Sequence, residues 1–461
     1  MICATTAADI SAQTFATVAN FNGANGLNPS GTLIQGPDGN LYGTTPYATG
    51  PQGYGTIFKM TPRGTLTSIY HFMGTHGSYP QAGVVLGTDG NFYGTTSEGT
   101  ASGSSGDGTV FEITPRGVLT TLYSFGGPDG ATPFSALTQA TDRNFYGTTE
   151  FGGANDVCTL DIPGCGTIYK ISPTGTLTTL YSFCSQSGCT DGNYPFAGPI
   201  QATDGNFYGT TVYGGASDQG TVFRITPTGV LKTLHSFNGT DGAYPYAGLV
   251  QGSDGAFYGT TSEPGTGDGT IFRITTSGLF GTLHRFTGSD GSLPSFKLIQ
   301  GTDGNLHGTT NGGGANGEGT IFKITLRGEL TTLYSFCSES ECTDGNLPDA
   351  PLIQDTDGSF YGTTASGGAD ASGTVFKLSV GLAPFVRTQP TSGKVGAVIR
   401  ILGTDLTGAT NVTFNGTAAT FTIVSTSLIT ATVPGGATSG KVRVATPGGP
   451  LSSNLPFRVV P

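Results

Sequence analysis

The chain has 461 residues, of which 78 are Gly, 26 are Pro and none is Trp, and only 11% are charged. This composition is unlike a disordered acidic segment or a helical enzyme, and it favours many short strands joined by Gly-rich turns. The net charge is −11, with no Lys/Arg cluster, which makes nucleic acids and anionic membranes poor partners. Because no apolar run reaches about 18 residues, we predict no transmembrane segment.

Residues 1–12 resemble the end of an export signal. The first nine, Met1-Ile-Cys-Ala-Thr-Thr-Ala-Ala-Asp9, are mostly small but include neither a basic region nor a long apolar core. We expect this segment to be an N-terminal remnant or the tail of an export signal. Cys3 is left without a predicted partner.

An eight-residue motif organises residues 13–380. Its copy Asp204-Gly-Asn-Phe-Tyr-Gly-Thr-Thr211 recurs with small changes, and the seven copies begin at Asp38, Asp89, Asp142, Asp204, Asp254, Asp303 and Asp357. A period of about 50 residues is typical of propellers and solenoids, in which each repeat contacts only its neighbours. Such an architecture allows a chain of this length to fold without one oversized core.

Each repeat contains four apolar segments, which we label strands A, B, C and D. In the fifth repeat they cover residues 246–251, 256–261, 269–275 and 279–286. They are rich in Thr, β-branched and aromatic residues, and Asp-Gly or Pro-x-Gly turns separate A from B and C from D. We therefore predict four-stranded antiparallel blades that form a seven-bladed β-propeller.

The two ends of the repeat region predict how the propeller closes. Residues 15–23 match the D strand of the fourth repeat at 231–239, whereas the last repeat, at 352–378, has A, B and C but no D. We predict that the N-terminal strand completes the seventh blade, which would pair strand edges that are otherwise exposed.

The pattern stops after residue 380, and a linker at 381–384 leads to a second domain at 385–461. Short strands are predicted at 398–402, 412–414, 420–424, 428–433, 441–444 and 457–460. Strands of this length between Gly and Pro turns indicate a small β-sandwich.

Six of the seven cysteines fall in close pairs, namely Cys158 with Cys165, Cys184 with Cys189, and Cys337 with Cys342. The last two pairs lie in equivalent loops. We predict three disulfides, each stabilising the fold by about 2 kcal/mol, and disulfides indicate an exported protein. A metal site is the alternative, but the pairs lack the C-x-x-C spacing and no His lies beside them, so we predict no metal.

The repeat resembles the choice-of-anchor GloVer tandem-repeat family of bacterial exported proteins. The resemblance rests on Asp-Gly-Asn-Phe-Tyr-Gly-Thr-Thr, on Gly-Thr-Val-Phe-Lys-Ile-Thr and on Leu-Thr-Thr-Leu-Tyr-Ser-Phe, and it covers about residues 13–380. It implies an extracellular or surface-attached bacterial protein and supplies no catalytic residues.

The second domain looks like an IPT/TIG domain, an immunoglobulin-like module. The similarity lies in residues 399–406, 409–416, 431–434 and 444–449. It implies a spacer or accessory module of a surface protein or of a secreted polysaccharide-acting enzyme. Some relatives bind DNA, but the acidic balance of this chain argues against that role.

In the predicted propeller, the D–A and B–C connections share one side, which we call the loop face. It carries the B–C loops of variable length and all three cysteine pairs, so we expect it to be the binding face. Glu98, Glu150 and Glu263 follow strand B in the second, third and fifth repeats. They are candidates for the carboxylate pair of a glycosidase, and solvated loop acids are the alternative.

Other polar residues of the repeats have a structural explanation. We interpret the five histidines, including His235 and His284, as packed or hydrogen-bonded substitutes for other side chains. Aspartates recur in the D–A loops at Asp129, Asp191, Asp241, Asp290 and Asp344. We interpret them as side-chain-capped turns, with a calcium ring as the alternative, and we expect no cofactor.

Aromatic residues mark the most site-like feature of the sequence. Phe134, Phe196 and Tyr246 each follow the Pro that opens strand A in three successive repeats, and Tyr194 and Tyr244 precede two of those prolines. We predict that these rings line one side of the channel mouth and stack on sugars. The alternative is packing between blades.

Two functions follow from this pattern. The first is a surface binding or adhesion protein that recognises an extracellular glycan or a surface protein. The second is a secreted carbohydrate-active enzyme, a hydrolase or lyase, with acids in the B–C loops. We favour the first and lean against an enzyme, because the chain has no self-sufficient catalytic motif.

Overall fold

The computed structural model describes residues 13–50, 53–99, 106–158, 163–263 and 267–460. The predicted N-terminal remnant, with Cys3, lies outside the described residues. Within them the chain is built from strands, with two short 3₁₀ helices at Ser187–Cys189 and Ser340–Cys342. The predicted all-β class is confirmed.

The described part of the repeat region folds into seven four-stranded sheets, numbered here in chain order. The strands of sheets 1 and 2 are Ile34–Gln35, Leu41–Thr45, Thr56–Met60, Leu66–His71, and then Val85–Leu86, Phe92–Thr96, Thr109–Ile113, Leu119–Ser124. The strands of sheets 3 and 4 are Thr138–Gln139, Phe145–Thr149, Thr167–Ile171, Leu177–Ser182, and then Ile200–Gln201, Phe207–Thr211, Thr221–Ile225, Leu231–Ser236. The strands of sheets 5 and 6 are Val250–Gln251, Phe257–Thr261, Thr270–Ile274, Phe280–Arg285, and then Ile299–Gln300, Leu306–Thr310, Thr320–Ile324, Leu330–Ser335.

Sheets 1 to 6 run A-B-C-D with antiparallel neighbours, as predicted. Sheet 7 contains Ile353–Gln354, Phe360–Thr364 and Thr374–Ser379, and its fourth strand is Thr14–Asn20. The arrangement of the seven sheets as the blades of a closed ring stays a prediction.

Strand A is shorter than predicted. The fifth repeat was expected to form a strand at 246–251, but only Val250–Gln251 pairs with strand B. The segment before Val250 does not pair with strand B. The carbonyl of Ala247 instead accepts a hydrogen bond at 3.0 Å from Thr210 of the preceding sheet. Pro245 also has no N–H to donate to a ladder.

The recurring motif builds the A–B turn and the contact between sheets. In the fourth repeat, Asp204 accepts hydrogen bonds from the Asn206 N–H at 3.0 Å and from the Tyr208 hydroxyl at 2.8 Å. Gly205 between them has a φ of +85°, which an L side chain rarely adopts. Tyr208 is fully buried and stacks on Phe257 of the next sheet with ring centroids 4.0 Å apart. The motif is therefore structural.

The second domain forms two four-stranded sheets and one two-stranded sheet. Its strands are Arg387–Gln389, Ser392–Lys394, Val398–Leu402, Asn411–Phe414, Thr417–Ala418, Phe421–Ile423, Leu428–Thr432, Val442–Thr446, Gly449–Ser452 and Arg458–Val460. All six predicted strands are present, and four others were missed. Buried apolar residues, including Val412, Ile429 and Phe457, form its core.

The chain divides into two compact units. Among the described residues, one contains Thr17–Ile353 and Gly362–Val375, and the other contains residues 13–16, Gln354–Tyr361 and residues 376–460. The predicted domain limits at 13–380 and 385–461 stay predictions. No helix among the described residues is long and apolar enough to cross a membrane.

Candidate ligand-binding site

Backbone hydrogen bonds hold the D–A loops against the B–C loops. The residue before the strand-A Pro adopts a left-handed conformation in every repeat, with φ of +53° at Tyr194 and +55° at Tyr244. Its N–H donates to a carbonyl in the B–C loop of the preceding repeat. The pairs are Tyr79 to Tyr54, Thr132 to Asp107, Tyr194 to Cys165, Tyr244 to Gln219, Leu293 to Asp268, Leu347 to Glu318 and Asn28 to Ser372. The side chains of both loop types are thus placed side by side.

The three aromatic residues that follow the strand-A prolines of successive repeats contact one another. Phe134 stacks on Phe196 with centroids 5.2 Å apart, and Phe196 meets Tyr246 edge-on at 5.6 Å. All three side chains are partly exposed. The predicted grouping is therefore present as a continuous row of rings.

A second row of rings runs beside the first. Phe151 packs edge-on against Tyr194 at 5.3 Å, Tyr194 against Tyr213 at 5.7 Å, and Tyr213 against Tyr244 at 5.3 Å. Burial raises the pKa of Tyr246, and a hydrogen bond with Tyr213, which joins the two rows, raises it further. We call the seven residues the aromatic patch: Phe134, Phe151, Tyr194, Phe196, Tyr213, Tyr244 and Tyr246.

Sequence reasoning missed Phe151 and Tyr213. Both stand two residues after strand B, in the B–C loops, where the fifth repeat has Glu263. Isolated bridges pair Phe151 with Ala131 and Tyr213 with Asn193, which sets their register. The sequence could have indicated them, because both aromatic residues occupy the same repeat position in adjacent repeats.

Glu150 is a carboxyl group next to the aromatic patch. Burial raises its pKa to about 7, and its charge in turn raises the pKa of Tyr194 and of Tyr246. Glu150 occupies the position of Ser262 and Asn311 in other repeats. The Ser262 hydroxyl forms a hydrogen bond with the Ser295 hydroxyl at 3.1 Å, and the Asn311 amide donates to the Asp349 carboxylate at 3.2 Å. Ser295 and Asp349 each follow the next strand-A Pro. For Glu150 the corresponding residue is Phe196.

The other two candidate acids stand in a different register. Glu98 pairs with Ser78 and Glu263 with Ala243, in the same way that Phe151 pairs with Ala131. They are thus equivalent to Phe151 and not to Glu150, and neighbouring residues of an extended strand point to opposite sides. In addition to burial, the charge of Glu263 raises the pKa of Tyr246, whereas the charge of Glu98 raises the pKa of Tyr79. The three acids therefore do not form one equivalent set.

Lys297 is a cation that sequence reasoning did not single out. It lies in the strand-A segment of the sixth repeat, at a position where the other repeats have Thr32, Gly83, Ala136, Gly198, Gly248 and Pro351. A Cβ on Gly248 would lie 3.7 Å from the Lys297 Cδ, so the side chain extends along the neighbouring repeat. Desolvation lowers its pKa to about 8. The sequence could have indicated Lys297, because it is the one long side chain at a repeat position where the other residues are short.

The histidines and loop aspartates form local hydrogen bonds. His235 contacts Asp241 at 2.9 Å and His284 contacts Asp290 at 2.8 Å. Tyrosines make the same contact in other repeats, as Tyr181 does with Asp191 at 2.7 Å. The D–A carboxylates also accept backbone N–H groups of their own turns, which agrees with the capped-turn interpretation.

The three predicted disulfides are present: Cys158–Cys165, Cys184–Cys189 and Cys337–Cys342. The first two lie against each other, with the sulfurs of Cys158 and Cys184 3.5 Å apart. These sulfurs belong to the same buried cluster as Tyr194, and Phe196, Tyr213 and other patch residues pack against it. The third disulfide lies in the equivalent loop of another repeat.

Comparison with known proteins yields remote structural similarities and no curated relative. A Bacteroides thetaiotaomicron protein of unknown function is 14% identical, with a TM-score of 0.44 over 80% of this chain and 76% of that one. A putative gluconolactonase is 11% identical, with a TM-score of 0.44 over 81% and 94%. The PQQ-bound aldose sugar dehydrogenase of Streptomyces coelicolor is 14% identical, with a TM-score of 0.40 over 80% and 98%. No curated protein matches the chain.

Family models match nearly the whole chain. The IPT/TIG domain matches residues 385–459, in agreement with the resemblance of the second domain. The Gloeobacter/Verrucomicrobia repeat matches residues 5–161 and 162–376, which together make up most of the sequence. The chain therefore belongs to the Gloeobacter/Verrucomicrobia repeat family and carries a C-terminal IPT/TIG domain.

Proposed function

We propose that the protein binds a carbohydrate on its loop face, through the aromatic patch. The observation that carries the proposal is the contact between Phe134, Phe196 and Tyr246, whose rings touch while remaining partly exposed. Four other repeats have small, polar or acidic side chains at this position. Aromatic faces stack on the C–H faces of sugar rings, and nearby hydroxyl and carboxyl groups take the sugar hydroxyls.

The polar groups around the patch suit this ligand. Tyr213, Tyr244, Tyr246 and Glu150 are partly exposed, so their hydroxyl and carboxyl groups are available beside the rings, and a protonated Glu150 both donates and accepts hydrogen bonds. Because its pKa is about 7, both forms are populated near neutral pH. A surface protein that presents apolar and hydroxyl groups is the second ligand class for the same patch.

We also propose that the protein works outside the cell or on the surface of a bacterium. Disulfides persist in oxidising compartments, and three are present here. The IPT/TIG domain would hold the repeat domain as a spacer, with the limits 13–380, 381–384 and 385–461 predicted from the sequence.

We further infer that the seven sheets are the blades of a closed ring. Two contacts support this inference. The Asn28 N–H donates to the Ser372 carbonyl at 3.2 Å, the same bond that joins each other repeat to the one before it. Thr363 donates to the Pro29 carbonyl at 2.9 Å, and the corresponding Thr44 donates to Ala82, two residues further along the equivalent segment of the second repeat. The first and last repeats thus contact each other as neighbours.

A glycan array tests the binding proposal. The purified protein should bind a subset of glycans, and the double variant Phe196→Ala/Tyr246→Ala should lose at least tenfold in affinity for them. The matched control is Tyr47→Ala, which removes a 43%-exposed ring from the B–C loop of the first repeat, away from the patch. Unchanged binding by a folded double variant would rule out the patch as the site.

An enzyme remains the second candidate because of Glu150. A carboxyl with a pKa of about 7 beside an aromatic surface is suited to protonate the leaving oxygen of a glycoside. Turnover on a panel of polysaccharides, lost in Glu150→Gln and kept in Glu98→Gln, would support it. Absence of turnover across the panel would leave binding as the function.

A further inference from the structure

Four cysteine sulfurs converge at one point near the aromatic patch. The sulfurs of Cys158, Cys165, Cys184 and Cys189 all lie within 4.8 Å of one another, and three of the four residues are buried. Cys158 and Cys165 come from the B–C loop of the third repeat, whereas Cys184 and Cys189 come from the D–A loop that follows it. The bond from the Tyr194 N–H to the Cys165 carbonyl, at 3.0 Å, holds the two loops together.

The size of this cluster is that of a tetrahedral thiolate site. A structural zinc ion takes four thiolates at about 2.3 Å, which places the sulfurs about 3.8 Å from one another. Cys158 and Cys184, which belong to different disulfides, are already 3.5 Å apart. The Cys184–Cys189 pair also has the C-x₄-C spacing within the range that zinc sites use. After both disulfides are opened, rotation of the cysteine side chains is enough to form the tetrahedral site. The two loops do not need to move closer together.

We propose that these four cysteines form a redox-dependent Zn²⁺ site, in which two disulfides and one zinc tetrathiolate are alternative states of the same residues. A dithiol reductant breaks each S–S bond by supplying two electrons and two protons, and is itself oxidised to a disulfide. Zn²⁺ then displaces four protons from the four thiols. A small-molecule disulfide then reoxidises the four thiolates to two protein disulfides by thiol–disulfide exchange and is itself reduced to thiols, which releases the Zn²⁺.

A neighbouring amide is placed to support the thiolates. The Asn193 Nδ2 donates to the Cys158 sulfur at 3.4 Å. Hydrogen bonds from outside the ligand set orient metal ligands and stabilise their charge. The equivalent residue of the other cysteine loop, Asn346, donates instead to the Glu318 carboxylate at 3.1 Å. The amide therefore points to sulfur only where four sulfurs meet.

The third disulfide provides an internal control. Cys337 and Cys342 have the same loop sequence pattern and the same C-x₄-C spacing, but they supply two sulfurs instead of four. Among the residues that the structure describes, the only metal-sized group of His, Cys, Asp and Glu side chains is the one at Cys158. The proposal thus assigns metal binding to one of two near-identical loops.

Zinc binding by the reduced full-length chain tests the proposal. A trialkylphosphine reduces each disulfide to two thiols while water supplies its oxygen and the two protons, and it leaves no competing dithiol. The reduced wild type should bind one Zn²⁺ per chain, and Co²⁺ in its place should show thiolate-to-metal charge-transfer absorption. The oxidised protein should bind neither ion.

Matched variants identify the ligands. Cys184→Ser/Cys189→Ser should bind no Zn²⁺, whereas Cys337→Ser/Cys342→Ser should bind one per chain, as the wild type does. Cys158→Ser keeps the Cys184–Cys189 pair and should bind at least tenfold more weakly. Zinc uptake that is the same in both double variants, or the absence of the charge-transfer band in reduced wild type, overturns the proposal. If reduction unfolds the chain, recovery of circular dichroism on adding Zn²⁺ supports it and lack of recovery overturns it.

Discussion

The two loops at residues 184–189 and 337–342 have nearly the same sequence and the same local structure. Each contains a disulfide and a short 3₁₀ helix, Ser187–Cys189 in one and Ser340–Cys342 in the other. In each loop an aspartate accepts a hydrogen bond from a tyrosine hydroxyl at 2.7 Å. Asp191 accepts it from Tyr181, and Asp344 accepts it from Tyr334. Local sequence therefore determines the conformation of the loop.

What differs is the loop that packs against each copy. The first copy meets a B–C loop that contributes Cys158 and Cys165, so that its Cys184 is buried. The second meets a B–C loop that contributes Glu318, and its Cys337 stays partly exposed. Two equivalent loops thus acquire different chemistry from their neighbours, because the B–C loops vary while the D–A loops are repeated.

The same contrast extends to the residues beside each loop. Next to the first, Glu150 follows strand B and Phe196 follows the strand-A Pro; next to the second, those positions hold Asn311 and Asp349. Asn311 donates to Asp349 at 3.2 Å, which pairs the polar groups, whereas Glu150 faces the rings of the patch. The third to fifth repeats therefore carry a desolvated acid and the aromatic patch together.

Removing the disulfides separately should give the largest losses of stability in the two copies. Cys337→Ser/Cys342→Ser should lower the free energy of unfolding by about 2 kcal/mol, the loop-closure contribution of so short a loop. Cys184→Ser/Cys189→Ser should cost about 3 kcal/mol, since it also disturbs the buried contact with Cys158. Urea unfolding of the oxidised variants measures both values.

Far-UV circular dichroism of each folded variant serves as the control for a local effect. Equal losses in the two variants would mean that the contact between the first two disulfides contributes nothing to stability. A larger loss in the second copy would contradict the comparison.

Glu150→Gln should change how stability depends on pH, with an effect of about 2 kcal/mol or less after allowance for partial exposure. Burial raises the pKa of Glu150 from its ordinary 4.5 to about 7, so the folded chain holds a proton that the unfolded chain releases. This contribution is fully present below pH 4.5 and is lost as the pH rises through 7. The variant should therefore match wild type at pH 4 and exceed it at pH 8.

Asp349→Asn is the corresponding change in the second copy. Burial raises the pKa of Asp349 to about 6. The stability that its protonated form contributes should therefore be lost about one pH unit lower than the contribution of Glu150. Thermal unfolding from pH 4 to pH 8 compares the two variants. A Glu150→Gln stability curve parallel to wild type would show that the carboxyl is solvated.

The sequence predicted the repeat, the order of strands A to D and the disulfide pairs, because each depends on residues close together in the chain or repeated in it. It placed Phe134, Phe196 and Tyr246 together for the same reason. It did not predict the contact between Cys158 and Cys184, which depends on how a variable B–C loop meets the following D–A loop. It also grouped Glu98 and Glu263 with Glu150, although a shift of one residue along an extended strand turns the side chain to the other side.

The two equivalent amides should give the smallest losses of stability, about 1 kcal/mol or less. Asn346→Ala removes a hydrogen bond to the Glu318 carboxylate, and bonds to charged groups are stronger than bonds to neutral sulfur. Asn193→Ala removes only the bond to the Cys158 sulfur, so its cost in the oxidised protein should be a few tenths of a kcal/mol. Urea unfolding of the oxidised variants should thus show Asn346→Ala as the less stable. In the reduced, zinc-loaded protein the order should reverse, because the sulfur is then a charged thiolate; an unchanged order would mean that Asn193 does not interact with a thiolate.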